Sequence, residues 1–373
     1  MVNNGLEGIV AATTRLSHVD GERGELLIGG FPVAELAGHA TFEETTWLLW
    51  HGDLPSAREL EAFRKELAGQ RLLPPATIAL LRECAQSRLD SMDALRVAVG
   101  TISMVANDAA AIVARFPSII AAFWRLRKGA EPIAPRDDLG HAANFLYMLS
   151  AEVPDPERVR GLETYLNTVV DHGLNASTFT ARVIMSTGSD LVSAIVGAIG
   201  ALKGPLHGGA PGPALDMVFE IGDASRAEAI LRKKIEAGEK LMGFGHRIYK
   251  VRDPRADVLA AAAERLYTRA GDMSLYTLAR AVEATAVRLL EEYKPGRRLQ
   301  TNVEFYTALL LHGLGLEVPL FTPTFAAGRV SGWIAHAFEQ QSANRIIRPQ
   351  SEYSGPRNRT WVPLSDRIEA VRT

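Results

Sequence analysis

The chain has 373 residues, 47% of them hydrophobic and 23% charged, with a formal net charge of -2. That is the balance of a globular protein, long enough for one large domain and a smaller one. The near-neutral charge offers no basic field for nucleic acid. A single cysteine, Cys84, excludes disulfide scaffolds and thiolate zinc sites. The start, Met-Val-Asn-Asn-Gly-Leu-Glu-Gly, lacks the basic and apolar regions of a secretory signal. Leu191–Leu202 is the best of the apolar runs, and it is short of the roughly 20 residues that a membrane span needs. The expectation is a soluble cytoplasmic protein with no membrane or nucleic-acid partner.

In chain order, residues 5–33 hold short apolar bursts, Ile9-Val10 and Leu26-Leu27-Ile28. His18-Val19-Asp20-Gly21 and Gly29-Gly30 separate them, which predicts short strands and a hairpin. After about Pro32 the period is helical. Thr41 with Glu44 makes a capping-box pattern ahead of Thr46-Trp47-Leu48-Leu49-Trp50. Segments 56–70, 75–88 and 92–105 lack strand alternation and are rich in Ala, Leu, Arg and Glu, as helices are. Ile119, Ile120, Phe123 and Trp124 form an apolar face just after Pro117-Ser118. Residues 128–138 carry prolines, glycine and charge and read as a surface connection. A helix resumes at His141 and stops near Pro154 and Pro156.

Residues 157–186 predict one long helix. Leu162, Tyr165, Leu166, Val169 and Val170 share a stripe, and His172 and Asn175 continue it. Leu191–Leu202 is apolar nearly all round and predicts a central helix packed on every face. Beyond 213 the chain is more polar, with a solvated helix over 224–240 and amphipathic helices over 256–270 and 275–293. Lys294-Pro295-Gly296 ends the last of these. An apolar helix over 324–340 follows. The fold class expected is all-α with a few short N-terminal strands. Residues 1–212 with 323–373 would form a large domain and 213–322 a small one.

The chemistry gathers between Lys203 and Arg255. Of nine histidines, His207 and His246 stand out, in Gly-Pro-Leu-His-Gly-Gly and Gly-Phe-Gly-His-Arg-Ile-Tyr-Lys. Glycine lets backbone approach a ligand and adopts positive φ. A tight turn alone would also explain one such loop, but two in one chain favour a cleft. His18, His141, His312 and His336 read as structural, and His39 and His51 as turn residues. No His-Glu-x-x-His pattern occurs, so no metal site is expected. Arg247, Lys250, Arg252 and Arg255 are either a solvated face or an anion site. Arg329 interrupts an apolar run and needs a partner, for which a bound carboxylate would serve. Arg345 and Arg348 are ambiguous alone. Glu304, in Thr-Asn-Val-Glu-Phe-Tyr, is either a general base or a helix-start glutamate.

In combination these stretches resemble citrate synthase. The motifs are Gly-Pro-Leu-His-Gly-Gly-Ala, Gly-Phe-Gly-His-Arg-Ile-Tyr-Lys followed by Asp-Pro-Arg, and Asp-His-Gly-Leu-Asn-Ala-Ser-Thr-Phe-Thr-Ala-Arg (171–182). Ser-His-Val-Asp-Gly-Glu-Arg-Gly at the start and Phe-Thr-Pro-Thr-Phe with Arg-Pro near the end are also similar to that family's. The resemblance implies a helical, two-domain homodimer that condenses acetyl-CoA with oxaloacetate and then hydrolyses the thioester. Coenzyme A thioester would be a co-substrate, with no permanently bound cofactor. The resemblance gives His207 the thioester oxygen, His246 the keto-acid carbonyl and Glu304 the role of base. His172, Arg255 and Arg329 would hold oxaloacetate carboxylates, with Arg348 reaching in from the partner subunit. Lys250, and with it Lys294 and Arg297, would meet coenzyme A phosphates. Thr-Asn-Val-Glu stands where most of the family carries Pro-Asn-Val-Asp, so the carboxylate is set further out by roughly one bond length. Two alternatives remain open: a 2-methylcitrate synthase using propionyl-CoA, and a weakly catalytic sensor of coenzyme A or dicarboxylates.

Overall fold

The computed structural model describes residues 4–6, 8–104, 109–208 and 211–367. Among the described residues there are sixteen α-helices and three short strands, so the all-α class holds. Thr14–Ile346 forms one compact unit; Met1–Thr13 and Ile347–Thr373 form another. The strands β1 (Ser17–Asp20), β2 (Glu25–Ile28) and β3 (Phe31–Pro32) make one antiparallel sheet in that order, with Ser17 opposite Ile28. The Ile9-Val10 burst forms no strand.

Local chemistry sets many helix starts. Thr41 and Glu44 close a reciprocal capping box, and Ser56 and Glu59 close another at Ala57–Gln70. Pro75–Gln86 and Ser91–Val99 follow as expected, the latter continuing as a 3-10 turn to Met104; residue 105 lies outside the described residues. Three expectations need correction. The apolar face at 119–124 belongs to a longer helix, Ala109–Arg127, that runs straight through Pro117. A mid-helix proline forfeits one hydrogen bond and costs about 3 kcal/mol, yet residues 110 to 123 are all buried and packing outweighs it. By length and composition this helix, and not the shorter Leu191–Leu202, could cross a membrane; its burial identifies it as a core helix.

The segment read as one helix over 157–186 is two, Pro156–Val169 and Ala176–Ser186. Gly173 sits at φ +58°, and Asn175 turns its side chain to the Thr178 N–H at 3.2 Å. An asparagine that caps the next helix cannot continue the previous one. His172 is therefore on a buried loop and not on a helical stripe. Finally, Leu191–Leu202 is not packed on every face, since Ser193 and Gly200 are exposed.

The helix Phe321–Ser342 runs through the core and carries Trp333 at 0% exposure. Its Gly328 and Gly332 lie against the end of Pro156–Val169. A Cβ on Gly332 would stand 2.2 Å from the Val170 carbonyl oxygen, and one on Gly328 2.7 Å from Val169 Cγ2. Only glycine permits this approach, which brings Arg329 within hydrogen-bond reach of the Val169 carbonyl. Gly332→Ala should cost about 1–3 kcal/mol through overpacking. A fall in the denaturant midpoint checks this.

Candidate active site

The loop bearing His246 is pinned by a short antiparallel pairing. Phe244 bridges Thr301, the Gly245 N–H donates to the Gln300 carbonyl at 2.7 Å, and the Asn302 N–H donates to Gly243 at 3.0 Å. Gly243 and Gly245 have φ of +86° and +82°, and a Cβ on Gly243 would come within 2.9 Å of Phe305 Cβ. The glycine frame seen in the sequence is thus a positive-φ turn laid directly on the start of Val303–Gly313, the helix whose first turn holds Glu304. His246 Nδ1 accepts from the N–H groups of Ile248 (3.0 Å) and Tyr249 (3.1 Å). Burial, then Arg255, brings its pKa down to about 4. The neutral ring therefore carries its one proton on Nε2. Arg255 Nη2 lies 3.4 Å from that Nε2. Both are donors, so this is not a hydrogen bond; the pair converges on a place suited to one oxygen acceptor.

His172 meets them from the 170–175 loop. Its Nε2 is 3.1 Å from the Tyr249 hydroxyl, and its ring centroid is 5.8 Å from that of His246. Burial, then Arg255, Arg329 and His246, hold it well below the ordinary histidine range. Asp171, beside it, is fully buried, with Oδ1 3.1 Å from His336 Nε2. Arg182 Nη1 donates to His336 Nδ1 at 2.9 Å, so Nε2 carries the proton and donates to Asp171.

His207 is held by its side chain as well as its turn. Ser177 Oγ accepts from Trp333 Nε1 at 3.1 Å and donates to Asn175 Oδ1 at 2.8 Å, and His207 Nε2 lies 2.9 Å from it. Burial, then Arg329, lowers the His207 pKa to about 4. Phe325 links the two: its ring is 6.3 Å from His207 and 4.8 Å from the Arg329 guanidinium. Arg329 itself is 1% exposed, and burial brings its pKa down to about 10, so it stays charged at neutral pH. Nearby Asp171 opposes that fall and Arg255 adds to it.

Arg255 has a resident partner. Asp253 caps the helix Pro254–Ala270 and grips the guanidinium bidentately, at 3.0 Å (Nε to Oδ1) and 2.8 Å (Nη2 to Oδ2). Glu304 lies in the first turn of its helix, where Asn302 Oδ1 accepts its N–H at 3.0 Å. The helix terminus favours its ionised form. Burial outweighs that and pushes the carboxyl up to about 7, against the pull of Arg255, with Asp253 adding to the rise. The glutamate at this helix start is thus also a carboxyl that titrates near neutrality.

Geometry and charge therefore join His172, His207, His246, Arg255, Arg329 and Glu304. Lys250 is exposed on the His246 turn, its Nζ 3.4 Å from the Arg247 carbonyl. Lys294 ends the helix Ser274–Tyr293, and Arg297 is exposed just beyond it; neither shares a described contact with the histidines. Arg348 is exposed and belongs to the other unit. Reasoning from side-chain type missed Ser177, Tyr249, Asp171 and Asp253. Asp253 alone had a local signal, since Asp-Pro is a helix-start pattern.

Comparison with known proteins gives the family. The family described as "Citrate synthase, C-terminal domain" matches residues 5–350. Citrate synthase 2 of Bacillus subtilis is 41% identical, covering 97% of this chain and 98% of its own. A 2-methylcitrate synthase of Mycobacterium tuberculosis is 38% identical, covering 96% and 92%. Among solved structures, the Thermoplasma acidophilum citrate synthase, in complex with carboxymethyl coenzyme A and oxaloacetate, superposes with a TM-score of 0.89. It is 30% identical, over 98% of this chain and 100% of that one. A match along nearly the whole length, in sequence and in fold, means that this chain belongs to the citrate synthase family of acyltransferases.

Proposed function

We propose that the protein joins the methyl carbon of acetyl-CoA to the carbonyl carbon of oxaloacetate and hydrolyses the resulting thioester to citrate and free coenzyme A. The observation that carries this is the pair of donors, His246 Nε2–H and Arg255 Nη2, 3.4 Å apart, with a carboxyl whose pKa is near 7 interacting with the same arginine. Glu304 takes a proton from the methyl group while His207 donates to the thioester oxygen. The enol carbon attacks the keto carbon, and His246 supplies a proton to the forming alkoxide. Water then adds to the thioester and the thiol leaves. An oxyanion donor of this kind contributes about 3 kcal/mol to the transition state. His172, Arg255 and Arg329 hold the two carboxylates; that a family member has been solved with oxaloacetate bound supports the choice of substrate.

Lys250, Lys294 and Arg297 receive the coenzyme A phosphates, the co-substrate being the only cofactor. The enzyme acts in the cytoplasm as a homodimer in which Arg348 serves the partner subunit's site. Residues 213–322 close on the remainder before chemistry, because open water would hydrolyse acetyl-CoA unproductively. Relatives named 2-methylcitrate synthase favour a second substrate, propionyl-CoA. One methylene is worth about 1–3 kcal/mol in an apolar pocket, so both acyl groups should turn over. Thiol release with oxaloacetate and each acyl-CoA is the test, and acetyl-CoA is expected to be faster. A large propionyl preference makes the enzyme a 2-methylcitrate synthase, and coenzyme A binding without turnover makes it a sensor.

A further inference from the structure

The β1–β2 hairpin supplies no side chain to the chemistry proposed above, yet its ends touch both histidine loops. Ser17 Oγ donates to Asp171 Oδ2 and accepts from the Gly173 N–H at 2.9 Å, so one hydroxyl joins the residues on either side of His172. Four residues on, the Gly21 carbonyl accepts from the Lys250 N–H at 2.9 Å. A Cβ on Gly21 would lie 2.3 Å from the Ile248 carbonyl oxygen, and one on Gly24 2.7 Å from Val251 Cγ2. Ile248 is one of the two residues, with Tyr249, whose N–H donates to His246 Nδ1. Between the two ends, Val19 Cγ2 packs 3.9 Å from the Cβ position of Gly173.

We propose that β1 and its turn are a splint that holds the His172 and His246 loops in one register, with Ser17 and Gly21 as positioning residues for keto-acid binding. This rests on the reading that those histidines hold oxaloacetate. Hydrogen bonds from the two ends of one four-residue strand and its turn tie the two loops to a common element. Ser17 acts through the backbone and carboxylate flanking His172. Gly21 acts by closeness, since any side chain there displaces Ile248 and with it the acceptor geometry of His246. A displacement on the order of 1 Å can cost about 100-fold in rate.

Ser17→Ala, Ser17→Thr, Gly21→Ala and His172→Ala are compared in the full-length enzyme. The measurements are KM for oxaloacetate and for acetyl-CoA, kcat, oxaloacetate affinity by calorimetry, and the unfolding midpoint. Ser17→Ala should raise the oxaloacetate KM about tenfold, as loss of a hydrogen bond near a charged group does, and leave the acetyl-CoA KM within about twofold. Ser17→Thr should restore it. Gly21→Ala should lower kcat/KM for oxaloacetate about 100-fold. Ser17→Ala should add nothing further in a His172→Ala background. A lowered midpoint with unchanged oxaloacetate KM and affinity in Ser17→Ala shows a merely structural hairpin and overturns the splint. If His172→Ala binds oxaloacetate as the parent does, the substrate reading is at fault and the splint falls with it. Should Gly21→Ala not fold, the Ser17 pair decides.

Discussion

Glu304→Ala is expected to keep oxaloacetate binding and to lose condensation, with kcat down by about 10²–10⁴-fold, the usual contribution of a positioned base. The reason is local. Burial raises the carboxyl to about 7, which makes it a strong enough base for a carbon acid while leaving it partly ionised at neutral pH. Calorimetry with oxaloacetate and thiol release with acetyl-CoA separate the two effects, and near-normal turnover would reject the assignment. The pH dependence has a definite sign. The base works ionised, so kcat should rise with pH through about 7. For stability the sign is opposite. A carboxyl whose pKa is raised above 4.5 on folding stabilises the fold when protonated. That increment is complete below about 4.5 and is lost as pH rises through about 7. Enzyme at pH 8 should therefore be more active and, from this group, slightly less stable.

Arg255→Met should remove function and stability together. Asp253 is fully buried beneath the guanidinium. Taking away one partner of a buried pair leaves an unpaired charge and costs about 3–5 kcal/mol. Oxaloacetate affinity should fall roughly 100-fold, because a buried, hydrogen-bonded cation is lost from the proposed carboxylate site. The double variant Arg255→Met with Asp253→Asn separates these roles: it removes the orphaned charge, so stability should largely return, while oxaloacetate binding should not. Recovery of both would mean that Arg255 only neutralises Asp253. Arg255→Lys is not conservative here, since an ammonium cannot reproduce the two-point grip on Asp253.

What could be read along the chain was whatever neighbouring residues decide among themselves. Thr41 with Glu44 and the Lys294-Pro295-Gly296 stop act within a turn or two, and so do the glycines around His246. Their geometry agrees with expectation because capping, helix termination and positive φ are local events. The motif order around His172, His207 and His246 also points to the family without any knowledge of contacts. The long helix over 157–186 failed for a physical reason. Periodicity extends across Gly173 and Asn175, but capping the next helix and bonding Ser17 satisfy the backbone better there than another helical turn.

Packing decided the rest. Pro117 remains in a helix because burial of the surrounding residues outweighs its local penalty. Gly328 and Gly332 look like weak helix formers in sequence, and only the neighbouring chain shows them to be contact points. The same holds for charge. Composition could name Arg255, Arg329 and Glu304, but desolvation and the distance between ions depend on which segments fold together. These alone make Arg255 a partner of Asp253, bring Arg329 down to about 10 and raise Glu304 to about 7.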